Sequence, residues 1–228
     1  MARERRWPVA AAIAVLLVVT LAAVAAALTY TSLFRATRIR VEGSSRPDAT
    51  VIAAAGLAGE VNVFHLDAGA AEAALLADPW VKAAEVRRAL PHGVVIEVRE
   101  RVPVLAVGER AVAADGTELP GAVASDLPRA RGTMGEIEAS QVPAAAAAAA
   151  ALSPALREQV GYVVIGLDGD LSLRLDDGPS VRWGRGDEQA AAKAAALEAL
   201  LRYADERDRV ILTADVSAPK APSARFDD

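Results

Sequence analysis

The chain contains no cysteine and only two histidines, His65 and His92, among its 228 residues. Disulfides and cysteine zinc sites are therefore excluded, and two histidines cannot build a histidine-rich zinc centre. Export without disulfides is compatible with this composition. Aromatic residues are also scarce, at 4%, and the 53% hydrophobic content is carried by alanine and one long apolar run. A cationic surplus is missing too: the formal net charge is −5 and Lys and Arg are spread along the chain. No basic stripe of a nucleic-acid binder results, so DNA and RNA are not expected partners.

Catalytic patterns are absent in the same way. There is no G-x-S-x-G elbow, and no nucleophile stands with a credible base. Gly184-Arg185-Gly186 lacks the third glycine and the βαβ setting of a dinucleotide loop, so it reads as the entry to a helix. Asp168-Gly169-Asp170 and Asp176-Asp177-Gly178 lack the Gly and Glu spacing of a calcium loop and read as turns. Arg185-Gly186-Asp187 spells an adhesion tripeptide, but Asp187 is placed to cap a helix. Neither a cofactor nor a small-molecule substrate is implied.

What the chain does have begins with an uncharged stretch from Pro8 to Phe34, preceded by Arg3, Arg5 and Arg6 and followed by Arg35, Arg38 and Arg40. About 20 apolar residues cross ~30 Å of hydrocarbon as a helix. The stretch exceeds the roughly 7–15 residues of a signal-peptide core, which favours an uncleaved anchor over a signal cut near Ala25–Ala27. Charge flanks both ends, so the small tail and large remainder set the expected orientation, with the tail inside.

Behind the anchor, alternation in Thr37–Glu42 predicts a strand with Ile39 and Val41 inward. Ser45, Arg46 and Pro47 open a short helix to Ala55, closed by Gly56, and Asp67 caps a second with Ala70, Ala73 and Leu76 on one face. Val81–Arg87 is the next strand, Leu90–Gly93 suits a type I turn, and Val94, Ile96 and Val98 face inward on the return. Trp80 is expected to plug the core. The order is β-α-α-β-β.

Beyond Pro103, Val104–Val107 and Ala111–Ala114 pair as a hairpin, whereas residues 120–135 show little periodicity. A helix runs from Ser140, with Pro143 in its first turn and Pro154 breaking it. Strands follow at Val160–Ile165, Leu171–Leu175 and Val181–Trp183, then a helix to about Ala204 with Lys193, Leu197, Leu200, Leu201 and Ala204 at helical spacing. Val210–Val216 is expected as the final strand, and the residues from Pro219 trail off polar. The fold class is α+β: an N-terminal transmembrane helix, a β-α-α-β-β domain, and a mixed β domain with flanking helices.

RIRVEG, Pro79-Trp80-Val81, Val86-Arg87-Arg88 with Leu90-Pro91, Glu100-Arg101 with Pro103, and LRLDDGPSVRWG together resemble the FtsQ/DivIB family of cell-division proteins. The resemblance implies a cytoplasmic tail (1–7), a signal anchor (8–34), a POTRA domain (35–103), a β domain (104–217) and a polar C-terminal tail (218–228). It implies a single-pass protein of the cytoplasmic membrane at the division septum, not an enzyme, whose β domain holds FtsB-like and FtsL-like proteins and through them regulates FtsW and FtsI. The POTRA order also occurs in translocation and chaperone modules, but those repeat the unit and end in a barrel; a membrane-anchored cell-wall enzyme is disfavoured by the missing constellation.

In the family the partner adds a strand to the last strand of the β domain, so the resemblance assigns partner contacts to Val210, Leu212, Ala214, Val216, Ala218, Lys220 and Phe226. Pro219 and Pro222 depart from that pattern by removing backbone donors. Two readings stay open: everything after Val216 is a disordered tail with Phe226 incidental, or Phe226 anchors a partner.

Overall fold

Alternating apolar residues and tight turns give two sheets, one in each of two compact units, Met1–Glu100 and Arg101–Asp228. The structure is a computed structural model that describes residues 6–29, 34–185 and 189–227, with side chains of 6–10, 25, 28 and 29 left aside. Asp187, the expected helix cap, lies outside the described residues, as does Gly186. The chain begins with helix α1, Arg6–Thr29. Among the described residues no helix is long and apolar enough to cross a membrane.

The first sheet has the order β1-β3-β2. Strand β1 (Arg38–Glu42) runs parallel to β3 (Gly93–Glu100), and β2 (Val81–Ala89) pairs antiparallel with β3. Helices α2 (Asp48–Ala54) and α3 (Ala68–Leu76) supply the apolar layer that meets it. Asp67 caps α3 by accepting from the Ala70 amide at 2.9 Å. Val94, Ile96 and Val98 are buried, as their alternation predicts.

Three local expectations are corrected. Helix α3 buries Ala71 and Leu75, not Ala70, Ala73 and Leu76, and Leu76 is 48% exposed. In an alanine-rich helix neighbouring stripes differ little in hydrophobicity, so the pattern could not choose between them. Trp80 is half-buried at the corner, and Val81, the first residue of β2, takes the core position. The strands are joined by Leu90, Pro91 and His92 between paired Ala89 and Gly93, with a cis Leu90–Pro91 peptide in place of a type I turn.

A polar clasp closes this unit. Glu100 accepts from the Ser44 hydroxyl (2.7 Å), the Ser45 hydroxyl (2.6 Å) and the Ser45 amide (3.1 Å). Arg46 pairs with Asp78 and stands 3.6 Å from Glu100. Burial works to raise the Glu100 carboxyl, but these donors outweigh it and hold it below the usual range. Gly43 makes the approach possible: its φ is +80°, and a Cβ there would lie 2.2 Å from the Val98 carbonyl oxygen.

The second sheet has eight strands in the order β11-β10-β9-β8-β7-β6-β4-β5. They are β4 (Pro103–Val107), β5 (Arg110–Ala113), β6 (Arg129–Gly132), β7 (Val160–Ile165), β8 (Leu171–Leu175), β9 (Ser180–Gly184), β10 (Ile211–Asp215) and β11 (Ser223–Phe226). β7, β8 and β9 form an antiparallel meander, β6 joins β7 in parallel, and β10 joins β9 in parallel. Strand β6 falls in the stretch without periodicity, where its Arg-Ala-Arg-Gly carries no apolar alternation to announce it.

Helices α4 (Val142–Ala151) and α6 (Ala190–Asp205) share the core with the inner sides of these strands. The alanine run is structural: Ala145, Ala146, Ala148 and Ala149 are all buried, their small side chains allowing close approach. Leu152 turns extended, and Ser153 caps α5 (Pro154–Glu158). Arg157 then donates to the carbonyls of Ala149 (2.9 Å) and Leu152 (2.9 Å), satisfying acceptors that the end of α4 leaves unpaired. Trp183 and Leu197 are fully buried at the centre.

Candidate functional site

The C-terminal end of the second sheet is where the assigned residues fall, and the structure divides them. Strand β10 is not final: β9 pairs with one side of it and β11 with the other. The segment after Pro222 forms this extra strand. Pro219 and Pro222 both lie in the connection from β10, so neither removes a donor from Ser223–Phe226. The edge strand that follows them is short, four residues, and uninterrupted.

A bulge at Leu212 explains how the other residues scatter. The register passes from Ile211↔Phe226 to Thr213↔Arg225, leaving Leu212 without a partner position. Val210 before it is 64% exposed and Leu212 itself 41% exposed, while beyond it Ala214 and Val216 are buried. The four therefore do not share one face. Ala218 and Lys220 are exposed in the connection, and Phe226 is half-buried at the end of β11.

Strand β11 ends the sheet, and among the described residues no further strand pairs with it, so its outer side is a free edge. The Asp227 amide donates to the Val210 carbonyl at 2.9 Å. Successive amides of an extended strand point to opposite sides, so those of Arg225 and Ser223 also face β10, while those of Ala224 and Phe226 face outward. The side chains sort likewise: Ala224 and Phe226 are half-buried against the core, and Ser223 and Arg225 are exposed.

Aromatic and cationic groups hold this edge. The Phe226 ring lies 6.2 Å from that of Tyr203 on α6. Arg209 stands 4.1 Å over Phe226 and Arg207 4.0 Å over Tyr203. In the connection, Asp215 accepts from the Ser217 hydroxyl (2.6 Å) and amide (2.9 Å), with Arg182 3.8 Å away. The Ser217 hydroxyl is the main cause that holds the Asp215 carboxyl below its ordinary value. Ser217 and Lys220 have the S-x-x-K spacing of an acylating serine, but they lie on an exposed turn, and the Ser217 hydroxyl is spent on Asp215.

The neighbouring strand end is equally fixed. Gly184 has φ +78°, and a Cβ there would approach the Ser217 Cβ to 2.7 Å. The buried Lys193 donates to the Arg185 carbonyl at 2.8 Å and stands 5.9 Å from the Trp183 ring. Burial lowers its pKa, opposed by the charge of Asp170. These are supports of the edge, not reacting groups. Among the described residues no cluster of His, Cys, Asp or Glu could hold a metal ion.

Tyr203, Arg209, Ser223 and Arg225 were not among the residues assigned from sequence. The signal was present as the alternation Ser-Ala-Arg-Phe, obscured by the two prolines before it.

Comparison with known proteins agrees with this architecture. Residues 34–101 match the family model "POTRA domain, FtsQ-type", and residues 93–217 match "Cell division protein FtsQ/DivIB, C-terminal". Strand β11 begins beyond the last residue of the second match. The chain is 31% identical over 240 residues to a cell division protein FtsQ of Streptomyces collinus, covering 96% of this chain and 89% of that one. It is 28% identical to the FtsQ of Corynebacterium glutamicum, covering 74% and 79%, and 29% identical to that of Anaeromyxobacter sp. (strain K), covering 81% and 71%. With a mixed α+β architecture and matches spanning both units, this chain belongs to the FtsQ/DivIB family of cell-division proteins.

Proposed function

We propose that the chain is a bitopic, non-catalytic membrane scaffold of the bacterial division machinery, whose β domain receives a strand from an FtsB-like protein. Residues 1–7 form a cytoplasmic tail, 8–34 the anchor and 35–103 the POTRA domain; the β domain runs on from 104 past 217 to take in β11. Support for the anchor is the uncharged run from Pro8 to Phe34 between arginine clusters.

The observation that carries the reading is the free edge of β11. It offers the outward amides of Ala224 and Phe226 to an incoming strand, and backbone pairing of this kind supplies affinity while adjoining side chains supply choice. The added strand would meet Phe226 on its core side and Arg225 on its open side. Of the residues assigned from sequence, Phe226 borders that strand, Val210 lies on the β10 side of β11 away from it, and Ala214 and Val216 act from the core. An FtsL-like protein arrives with the FtsB-like one, and the complex regulates FtsW and FtsI at the septum.

Capture of the FtsB-like partner by the full chain, by the chain cut after Ala218, and by Phe226→Ala tests this. The cut chain is expected to lose capture and Phe226→Ala to weaken it. Equal capture by all three would place the interface elsewhere.

A further inference from the structure

Resting on the anchor reading, we propose that the Leu90-Pro91-His92 tip of the first domain, with Arg38 and Arg40, is a lipid-contacting surface that touches anionic headgroups where the chain leaves the membrane. The inference begins with chain length. Phe34 is the last residue of the uncharged run, and three peptide units, spanning at most about 10 Å, separate it from Thr37. The Thr37 amide donates to the His92 carbonyl at 2.9 Å, and the Arg38 amide approaches the same oxygen at 3.3 Å. The hairpin tip is thus tied to the strand that leads out of the anchor.

The composition of this end suits a bilayer surface. Leu90 is 59% exposed and Phe64 40% exposed, both large apolar groups on water. Phe64 meets Phe34 edge to face at 4.6 Å, so it too stands beside the anchor's end. Aromatic and apolar groups flanked by cations prefer the headgroup level of a membrane. Arg38, Arg40, Leu90, Pro91 and His92 line one shallow concavity, with guanidinium groups and apolar surface in the same hollow.

The local charges leave the arginines available. Arg35 is paired with Glu60 at 2.8 Å. Among the described residues neither Arg38 nor Arg40 has an ion pair, and the two project on the exposed side of β1. Glu42, four residues along that strand, is roughly 13 Å farther from the anchor. A phosphate in the concavity would find two guanidinium forks, with Leu90 reaching the shallow acyl region. Contact would orient the domain on its tether without any partner protein.

The cysteine-free sequence allows single-site labelling of the full chain in phosphatidylglycerol vesicles. Leu90→Cys and Glu42→Cys proteins, each carrying an environment-sensitive fluorophore, are mixed with lipid quenchers placed at shallow depth, and vesicle flotation is recorded in parallel. The Leu90 probe is expected to lose fluorescence and the Glu42 probe to keep it. The loss should fall when Arg38 and Arg40 are replaced by Gln, and in vesicles of phosphatidylcholine alone. Floated protein with an unquenched Leu90 probe, or with both probes quenched alike, overturns the tip contact; indifference to the Gln pair overturns the headgroup role of the arginines. Protein that fails to float sinks the anchor itself and the contact with it.

Discussion

Phe226 stands 6.2 Å from Tyr203, their ring planes inclined at 53°, and this contact fastens the last strand to the last helix. Arg207 and Arg209 lie over the two rings, each cation–π contact contributing about 0.5–1 kcal/mol at such exposed sites. Phe226→Ala removes the apolar anchor as well as one of these contacts. The Ser223 and Arg225 amides should then exchange hydrogen about tenfold faster while core strands such as β8 keep their protection. Mass-resolved hydrogen exchange on the full chain measures this directly.

In the first unit, burial ranks two substitutions. Ile96 is fully buried at the centre of β3, so Ile96→Ala should cost roughly 2–5 kcal/mol from lost transfer energy and the cavity left behind. Trp80 is only half-buried at the corner before β2, and Trp80→Ala should cost distinctly less despite removing the larger side chain. Denaturant melts followed by a probe within residues 34–100 give the order, and a larger loss for Trp80 would contradict the burial pattern.

The contrast between these residues shows what was legible in the sequence. Ile96 lies in a run whose period of two assigns each side chain to a face, and the structure agrees at Val94, Ile96 and Val98. Trp80 stands where a helix stops and a strand begins, and at such a corner periodicity assigns no face. The inner strands of the second sheet were readable for the same reason as Ile96, and α4 from its alanine run. Strand β6 was not, because Arg129 and Arg131 alternate with Ala130 and Gly132, which carry little apolar signal. At the candidate edge, the family resemblance named Phe226, but the bulge at Leu212 reverses the alternation within β10 and separates Val210 from Ala214. Only pairing with β11 reveals that shift.

Acid should loosen the start of the second unit through Asp115. Partial burial would raise its pKa, but hydrogen bonds from Arg101 (2.9 Å) and the Thr117 amide (3.1 Å) prevail and bring it to about 2, below its ordinary value of 3.8. Because the folded value is the lower one, the stabilisation is present above pH 3.8 and disappears as the pH falls from there towards about 2. The Asp115 side chain is 42% exposed, and screening by water keeps the contribution at about 1 kcal/mol or less. Asp115→Asn should flatten this part of the acid-stability curve and leave stability near neutral pH slightly reduced, as urea midpoints against pH will register.

Proline substitutions separate the two edges of β11. The Ala224 amide faces the free side and the Arg225 amide faces β10, following the alternation fixed by the Asp227–Val210 hydrogen bond. Ala224→Pro removes an outward donor and leaves the donors to β10 in place, which an edge strand tolerates. Arg225→Pro removes a donor that holds β11 to the sheet. Ala224→Pro should therefore reduce capture of the FtsB-like partner about tenfold or more, with hydrogen exchange at Arg225 little changed. Arg225→Pro should reduce capture and also speed exchange at Ser223. Arg225→Ala keeps every backbone donor and removes only the open-face cation, so any weakening it causes measures charge pairing alone and should diminish at high salt. Should Ala224→Pro capture the partner as strongly as the unmodified chain, strand addition on the free edge of β11 is not how the partner binds.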